Sequence, residues 1–206
     1  MIILFKSHVK TAKNWLEKIS VNVPLSPNYI TVSTILFAFS GFTAVYSNQV
    51  LLGFLLFLVA GFFDALDGSV ARAQNKKTNF GFFLDGVSDR IVDFLFISAF
   101  FFLPFPDIPK VLTLFILLFF SLLIPYVKSY ADHSRALSHM EALKIDGIFG
   151  RSGRVIFFYL IYISFIFSFN QLSSFLLVTS VVLAFITFIQ RFYYVVKHHS
   201  KKFNKL

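Results

Sequence analysis

Residues 49–72 read QVLLGFLLFLVAGFFDALDGSVAR. From Val50 to Phe63 no side chain is charged or strongly polar, and only then come Asp64, Asp67 and Arg72. A helix needs about 20 mostly apolar residues to cross a bilayer, so this run spans one if its acidic end sits near an interface. Similar stretches recur at 29–47, 82–103, 108–128, 153–169 and 172–196. Short breaks separate them: Ser47-Asn48, then Pro104, Pro106 and Pro109, then Asn170-Gln171. The expectation is an all-α integral membrane protein with six transmembrane helices, forming a single domain over residues 1–206 without linker or internal repeat.

Composition agrees with lipid as the main solvent. Of 206 residues, 57% are hydrophobic and 14% charged, against about 25% charged in soluble domains. A soluble fold of this length cannot hide 31 phenylalanines. Cysteine is absent, which excludes disulfides, thiolate catalysis and zinc–thiolate sites. The formal net charge of +9 is scattered between apolar runs, a pattern that suits anionic lipid and phosphorylated substrates, not nucleic acid.

Upstream of the first span, Val9, Ala12, Leu16 and Ile19 recur at helical spacing among lysines and Trp15. Residues 6–20 are therefore expected to form an amphipathic helix on the membrane surface. No cleavable signal peptide is expected, because the lysine-bearing first 20 residues lack a continuous apolar core. All but one of the 19 basic residues fall in the N-terminal segment, in 72–90, in 128–154 or in 191–205, Lys110 being the exception. That asymmetry places both termini and the 72–81 and 129–152 loops of a multi-pass cell-membrane protein in the cytoplasm.

Five of the ten acidic residues lie between positions 64 and 93: Asp64, Asp67, Asp85, Asp89 and Asp93. Each Asp at a helix centre costs roughly 2.5–3.5 kcal/mol, so five uncompensated ones cost on the order of 12–17 kcal/mol. They must lie shallow, be neutralised, or both. At 1.5 Å per residue Asp64 is roughly 22 Å from the outer end of its span, and Asp85 and Asp89 are about 5–12 Å inside theirs. Both sets reach the cytoplasmic face. Asp64, Asp67, Gly68 and Ala71 share one helix face, and Gly81, Asp85, Asp89 and Asp93 share another. Small residues beside the acids allow the two backbones to approach. Carboxylates converging without a balancing charge suit Mg²⁺, which combines a few carboxylates with waters and substrate phosphates. Two such ions clamp a pyrophosphate and activate an attacking hydroxyl.

The two spans carry Asp64-Ala-Leu-Asp67-Gly68-Ser-Val-Ala71-Arg72, eight residues, then Gly81-Phe-Phe-Leu-Asp85-Gly-Val-Ser-Asp89. This resembles the full signature of the CDP-alcohol phosphotransferases, with all eight fixed positions filled over 26 residues. The resemblance implies a six-span, usually dimeric enzyme with a polar cavity open to the cytoplasm, which moves a phospho-alcohol from a CDP-linked lipid to an alcohol and releases CMP. It implies two ions, Mg²⁺ or Mn²⁺, one held by Asp64, Asp67 and Asp85 and the other by Asp64, Asp85 and Asp89. Asp89 would also be the general base on the acceptor hydroxyl. Gly68 and Arg72 would contact the CDP moiety, Gly68 by leaving space and Arg72 by charge-assisted bonds to phosphate. Thr78 resembles a nucleotide-touching Ser or Thr, and Ser26-Pro27-Asn28-Tyr29 resembles the segment lining the nucleotide site. For Thr78 and 26–29 the competing reading is a plain turn and helix cap. Asp93, outside the signature, either extends the polar stripe or pairs with a basic residue, and the pairing is the expectation.

The acceptor is read from basic residues further on. Lys128 and Arg191 stand inside or beside apolar runs, where a charge needs a reason, and Arg151 and Arg154 flank the start of the fifth span. Together they form a candidate pocket for a phosphate on the acceptor; the competing reading is a set of topology anchors. Pro125-Tyr-Val-Lys128, Gly147-Ile-Phe-Gly-Arg151-Ser-Gly-Arg154 and Gln190-Arg191 resemble the branch that uses inositol phosphate, the archaetidylinositol- and phosphatidylinositol-phosphate synthases. This chain departs from that branch at Tyr130, where an Arg is common, and at Gly150 and Gly153, where acids are usual; Arg135 and His133 are the candidates to substitute for the lost cation. Two sister activities share the signature: one with CDP-inositol as donor, making di-inositol phosphate compounds, and one with glycerol phosphate as acceptor. A proton-coupled transporter is the reading from another class, and it requires carboxylates near the midplane with broken helices or inverted repeats.

Overall fold

The structure, a computed structural model, describes residues 18–203, with side chains through His199. Of the expected surface helix over 6–20, only residues 18–20 fall within this range, and these are helical. Among the described residues all regular structure is helical: α1 (Pro27–Tyr46), α2 (Val50–Ala73), α3 (Asn79–Ala99) continued by a 3₁₀ turn (Phe100–Phe102), α4 (Lys110–His133), α5 (His139–Leu143), α6 (Arg151–Ile166) and α7 (Asn170–Phe203). Four of them, α1, α2, α4 and α7 over Asn170–His199, are long and apolar enough to cross a membrane. The chain divides into two compact units, Met1–Phe96 and Ile97–Leu206.

In the first unit α1 and α2 form a hairpin. Asn48 takes a left-handed φ of 61°, and Gln49 N donates to Ala44 O at 2.8 Å, closing the end of α1 in the manner of a Schellman turn. Two glycines let the helices touch: a Cβ on Gly53 would lie 2.9 Å from the Gly41 carbonyl oxygen and 2.3 Å from a Val45 methyl. Such small-residue crossings replace hydrophobic driving force where the solvent is itself apolar. Ile30, Leu66 and Val70 form a buried cluster between the start of α1 and the end of α2, backed by Val23 and Phe63. The Gln74 amide donates to Ser20 O (3.0 Å) and Val23 O (2.8 Å), fastening the segment before α1 to the end of α2. Phe57 of α2 stacks on Phe96 of α3 at 4.2 Å between centroids.

In the second unit Phe100 packs its ring against Phe105, Phe158 and Tyr162. Helices α6 and α7 form a hairpin joined by the Ser164 and Ser173 hydroxyls, 2.8 Å apart. Its reversal is centred on Ser168, φ 62°, before the break expected at Asn170-Gln171. Phe167 and Phe169 are turn residues despite their hydropathy, and Asn170 already begins α7. Helix α5 carries a capping box between Ser138 and Glu141, and its Ala142 packs with Ala131, Leu137 and Ile145 beneath Tyr194 and Val195.

Candidate active site

The acidic ends of α2 and α3 come together in the first unit. Asp64, Asp85 and Asp89 each offer a carboxylate oxygen, and the three oxygens lie within 4.8 Å of one another. The periodicity explains the convergence: Asp64 ends the apolar run of α2, and Asp85 and Asp89 are one turn apart on α3. An all-oxygen, all-anionic donor set fits a hard divalent cation.

Asp67, one turn beyond Asp64, is 4% exposed and lines a cavity together with Asp85. Its Oδ2 accepts from the Thr31 hydroxyl at 2.6 Å, and its Oδ1 accepts from the Gly68 amide. Asp89 forms an ion pair with the neighbouring Arg90, Nη2 to Oδ2 at 3.1 Å. Asp93, further along α3, is buried.

Beside these carboxylates lies a cavity of about 270 Å³, lined by Pro27, Asn28, Thr31, Asp67, Gly68, Ala71, Arg72, Lys76, Lys77, Thr78, Gly81, Phe82 and Asp85. Its walls pair cations from the α2–α3 turn with acids from the helices, an arrangement suited to a phosphate reached through a metal. Five of the seven residues expected at the nucleotide lie here: Pro27, Asn28, Gly68, Arg72 and Thr78. Ser26 and Tyr29 do not line it. Ser26 is the N-cap of α1 and Pro27 its first helical residue, while Tyr29 is 70% exposed. Thr78 both lines the cavity and caps α3, its Oγ1 accepting from Gly81 N at 2.9 Å. A Cβ on Gly81 would sit 3.1 Å from that oxygen and 3.3 Å from Asn28 Oδ1, so glycine keeps this corner open. Arg72 Nη2 donates to Ser69 Oγ at 3.1 Å.

Sequence reasoning passed over Thr31, Lys76, Lys77 and Phe82 of this lining. Lys76 and Lys77 entered it only as topology determinants. Thr31 carried a usable signal, a hydroxyl four residues after Pro27 and therefore on the same helix face.

The four basic residues expected at the acceptor belong to the second unit. Arg154 is 1% and Arg191 9% exposed. Arg191 Nη1 donates to Ile124 O at 3.0 Å, next to Pro125 within α4. Lys128 Nζ donates to Leu143 O at 3.3 Å. Arg151 opens α6 behind Gly150 as N-cap. The loop before it is clasped to α7: Ile148 N donates to Gln190 Oε1 (3.0 Å) and Phe149 N to Thr187 Oγ1 (2.9 Å). Thr187, Gln190 and Arg191 share a face of α7 by their spacing. Arg135 and His133 are exposed near the end of α4.

The model of the CDP-alcohol phosphatidyltransferase family matches residues 24–189. An archaetidylinositol phosphate synthase of Pyrococcus horikoshii is 31% identical over 94% of this chain and 95% of its own length. A bifunctional IPC transferase and DIPP synthase of Aquifex aeolicus is 48% identical over 75 residues, which are 36% of this chain and 17% of that protein. Phosphatidylinositol phosphate synthase of Mycobacterium tuberculosis shares the fold. Its structure with CDP-DAG bound superposes at a TM-score of 0.74 with 25% identity, over 87% of this chain and 92% of that one. A second structure of the same synthase, with manganese and citrate, gives a TM-score of 0.74 and 25% identity over 89% of this chain and 88% of that one.

Proposed function

We propose, because this chain belongs to the CDP-alcohol phosphatidyltransferase family, that it transfers a phosphatidyl or archaetidyl group from a CDP-linked lipid to inositol phosphate in phospholipid synthesis. The observation that carries this reading is the carboxylate triad of α2 and α3 beside a cavity that holds five of the residues expected at the nucleotide. Arg72, with Lys76 and Lys77, binds the donor pyrophosphate, and Pro27, Asn28, Gly68 and Thr78 shape the space around the nucleotide. Ser26 and Tyr29 complete that segment. The acceptor hydroxyl gives its proton to Asp89 while its oxygen attacks the phosphorus that bears the lipid alcohol. The bond from that phosphorus to the bridging oxygen breaks, and CMP leaves with the bridge. Two divalent ions, Mg²⁺ or Mn²⁺, held by Asp64, Asp67, Asp85 and Asp89, supply neutralisation of the pyrophosphate and of the departing charge.

In the second unit Lys128, Arg151, Arg154 and Arg191 bind the acceptor phosphate. Two of them are largely buried, and the clasp on α7 fixes the loop that leads into Arg151. We further propose six membrane crossings, with α3 and α6 spanning beside the four longer helices, both termini and the active site in the cytoplasm, and a homodimer built from one catalytic domain per chain. The cysteine-free sequence lets single introduced cysteines report sidedness by labelling, and mass photometry reports the dimer.

The test of function is CMP release by purified protein supplied with Mg²⁺ or Mn²⁺, a CDP-lipid and a panel of acceptors. Inositol phosphate is expected to exceed free inositol, glycerol phosphate and serine; equal use of free inositol would remove the acceptor assignment. The 48% identical stretch shared with the Aquifex bifunctional enzyme favours one second reading, CDP-inositol as donor. Turnover of CDP-inositol in preference to CDP-lipid would select it.

A further inference from the structure

We infer that Thr31 is a positioning residue, holding the Asp67 carboxylate in the orientation in which it serves a bound divalent cation. The inference rests on the metal reading of the α2–α3 carboxylates given above. Thr31 and Asp67 are each 4% exposed, and their side chains meet at 2.6 Å across the α1–α2 hairpin. An ionised carboxylate only accepts, so the threonine hydroxyl is the donor. The hydroxyl has one proton and two acceptors within reach, Asp67 Oδ2 and, at 3.1 Å, the Pro27 carbonyl of its own helix. The shorter contact, to a charged acceptor, takes it.

With the Gly68 amide on Oδ1, the carboxylate is gripped at both oxygens, once from α1 and once from α2. Each oxygen keeps a further lone pair for a cation. Metal-binding carboxylates are held by such outer partners, whose loss typically costs about 10–100-fold in metal affinity or activity. Thr31 stands one turn after Pro27 and lines the cavity with Pro27 and Asn28. The grip therefore ties the start of α1, expected at the nucleotide, to an acid expected at the metal.

A merely structural bond across the hairpin would change stability and leave metal binding alone, so the test separates the two. Thr31→Val keeps the β-branched shape and removes the donor; Thr31→Ser keeps the hydroxyl. Mn²⁺ binding to purified protein is measured by electron paramagnetic resonance without substrate, beside thermal unfolding in the absence of metal. Thr31→Val is expected to raise the Mn²⁺ Kd about 10-fold or more, and Thr31→Ser to stay within about threefold of the natural chain. Should Thr31→Val not fold, Thr31→Ala is measured to the same thresholds. An unchanged Mn²⁺ Kd in the donor-less variant, or a serine variant as weak as valine, overturns the inference. Asp67→Asn separates this failure from that of the parent reading. If Asp67→Asn weakens Mn²⁺ binding and Thr31→Val does not, only the positioning role fails; if Asp67→Asn also binds normally, the metal assignment of Asp67 fails with it.

Discussion

Gly147→Ala puts one methyl group where the fold has no room, at a residue not itself expected to touch substrate. A Cβ on Gly147 would lie 2.5 Å from Thr187 Cγ2 and 3.3 Å from Gln190 Oε1. Thr187 is fully buried, and its methyl and hydroxyl share one Cβ. Rotating the methyl away also swings Oγ1 off the Phe149 amide, which it holds at 2.9 Å. Displacing Gln190 instead releases the Ile148 amide. The clash is relieved only by loosening one or both of these bonds, or by moving the 147–149 backbone off α7. Each such bond contributes about 0.5–1.5 kcal/mol net, so losing both costs about 1–3 kcal/mol. At 1.4 kcal/mol per tenfold this corresponds to about 5–150-fold in whatever the loop supports.

If that is the placement of Arg151 and Arg154, the loss appears in kcat/KM for the acceptor, with the donor KM nearly unchanged. The assay is CMP release with inositol phosphate varied at saturating CDP-lipid, then the reverse. Gly150→Ala is the control, since a Cβ there meets nothing within 4 Å. An acceptor kcat/KM for Gly147→Ala within twofold of the Gly150→Ala value would refute the reasoning. So would an equal loss on the donor side.

Three further outcomes are expected. Asp89→Asn abolishes CMP release while CDP-donor binding, followed by calorimetry, stays close to normal; normal turnover would remove Asp89 as base. Extensive stripping with EDTA abolishes activity, and Mg²⁺ or Mn²⁺ restores it where monovalent salt does not; full activity in the stripped enzyme would contradict the metal reading. Gly53→Ala destabilises the α1–α2 hairpin by about 1–3 kcal/mol through overpacking, with Gly41→Ala milder because its nearest contact is 3.2 Å against 2.3 Å; unfolding in detergent checks the order.

The positions of the helices were legible because lipid imposes a length and a composition, and proline or polar pairs mark most of the ends. The α6–α7 reversal was placed late because its turn carries Phe167 and Phe169, residues that hydropathy assigns to a span. Helix α5 was not read from the sequence: Ser138 and Glu141 stand at capping-box spacing, but in a loop where no apolar periodicity directs attention. The triad was legible because three acids in apolar helices have few places to go. The grip of Thr31 on Asp67 and the clasp of Thr187 and Gln190 were not. Each joins residues 36 or more apart in sequence, through side chains that are unremarkable within their own helices. Periodicity gives the face a residue occupies, and only tertiary structure gives the partner opposite.

The triad itself shows why the polar and apolar parts of this fold depend on each other. Three carboxylates whose oxygens lie within 4.8 Å would, with all three ionised, repel by about 3.5 kcal/mol or more per pair at an effective dielectric of 20. The Arg90 guanidinium, 3.1 Å from Asp89 Oδ2, offsets part of that at the site. The helices tolerate it because close backbone packing of α1 on α2 at Gly41 and Gly53 and the Phe57–Phe96 stack of α2 on α3 secure the rest. A divalent cation among the oxygens would convert each repulsive term into part of an attractive set, and metal binding would then be coupled to the approach of α2 to α3. Metal removal is then expected to lower the stability of the first unit along with activity. Asp64→Asn, Asp85→Asn and Asp89→Asn should each show the opposite pattern, greater tolerance of metal removal together with lost turnover.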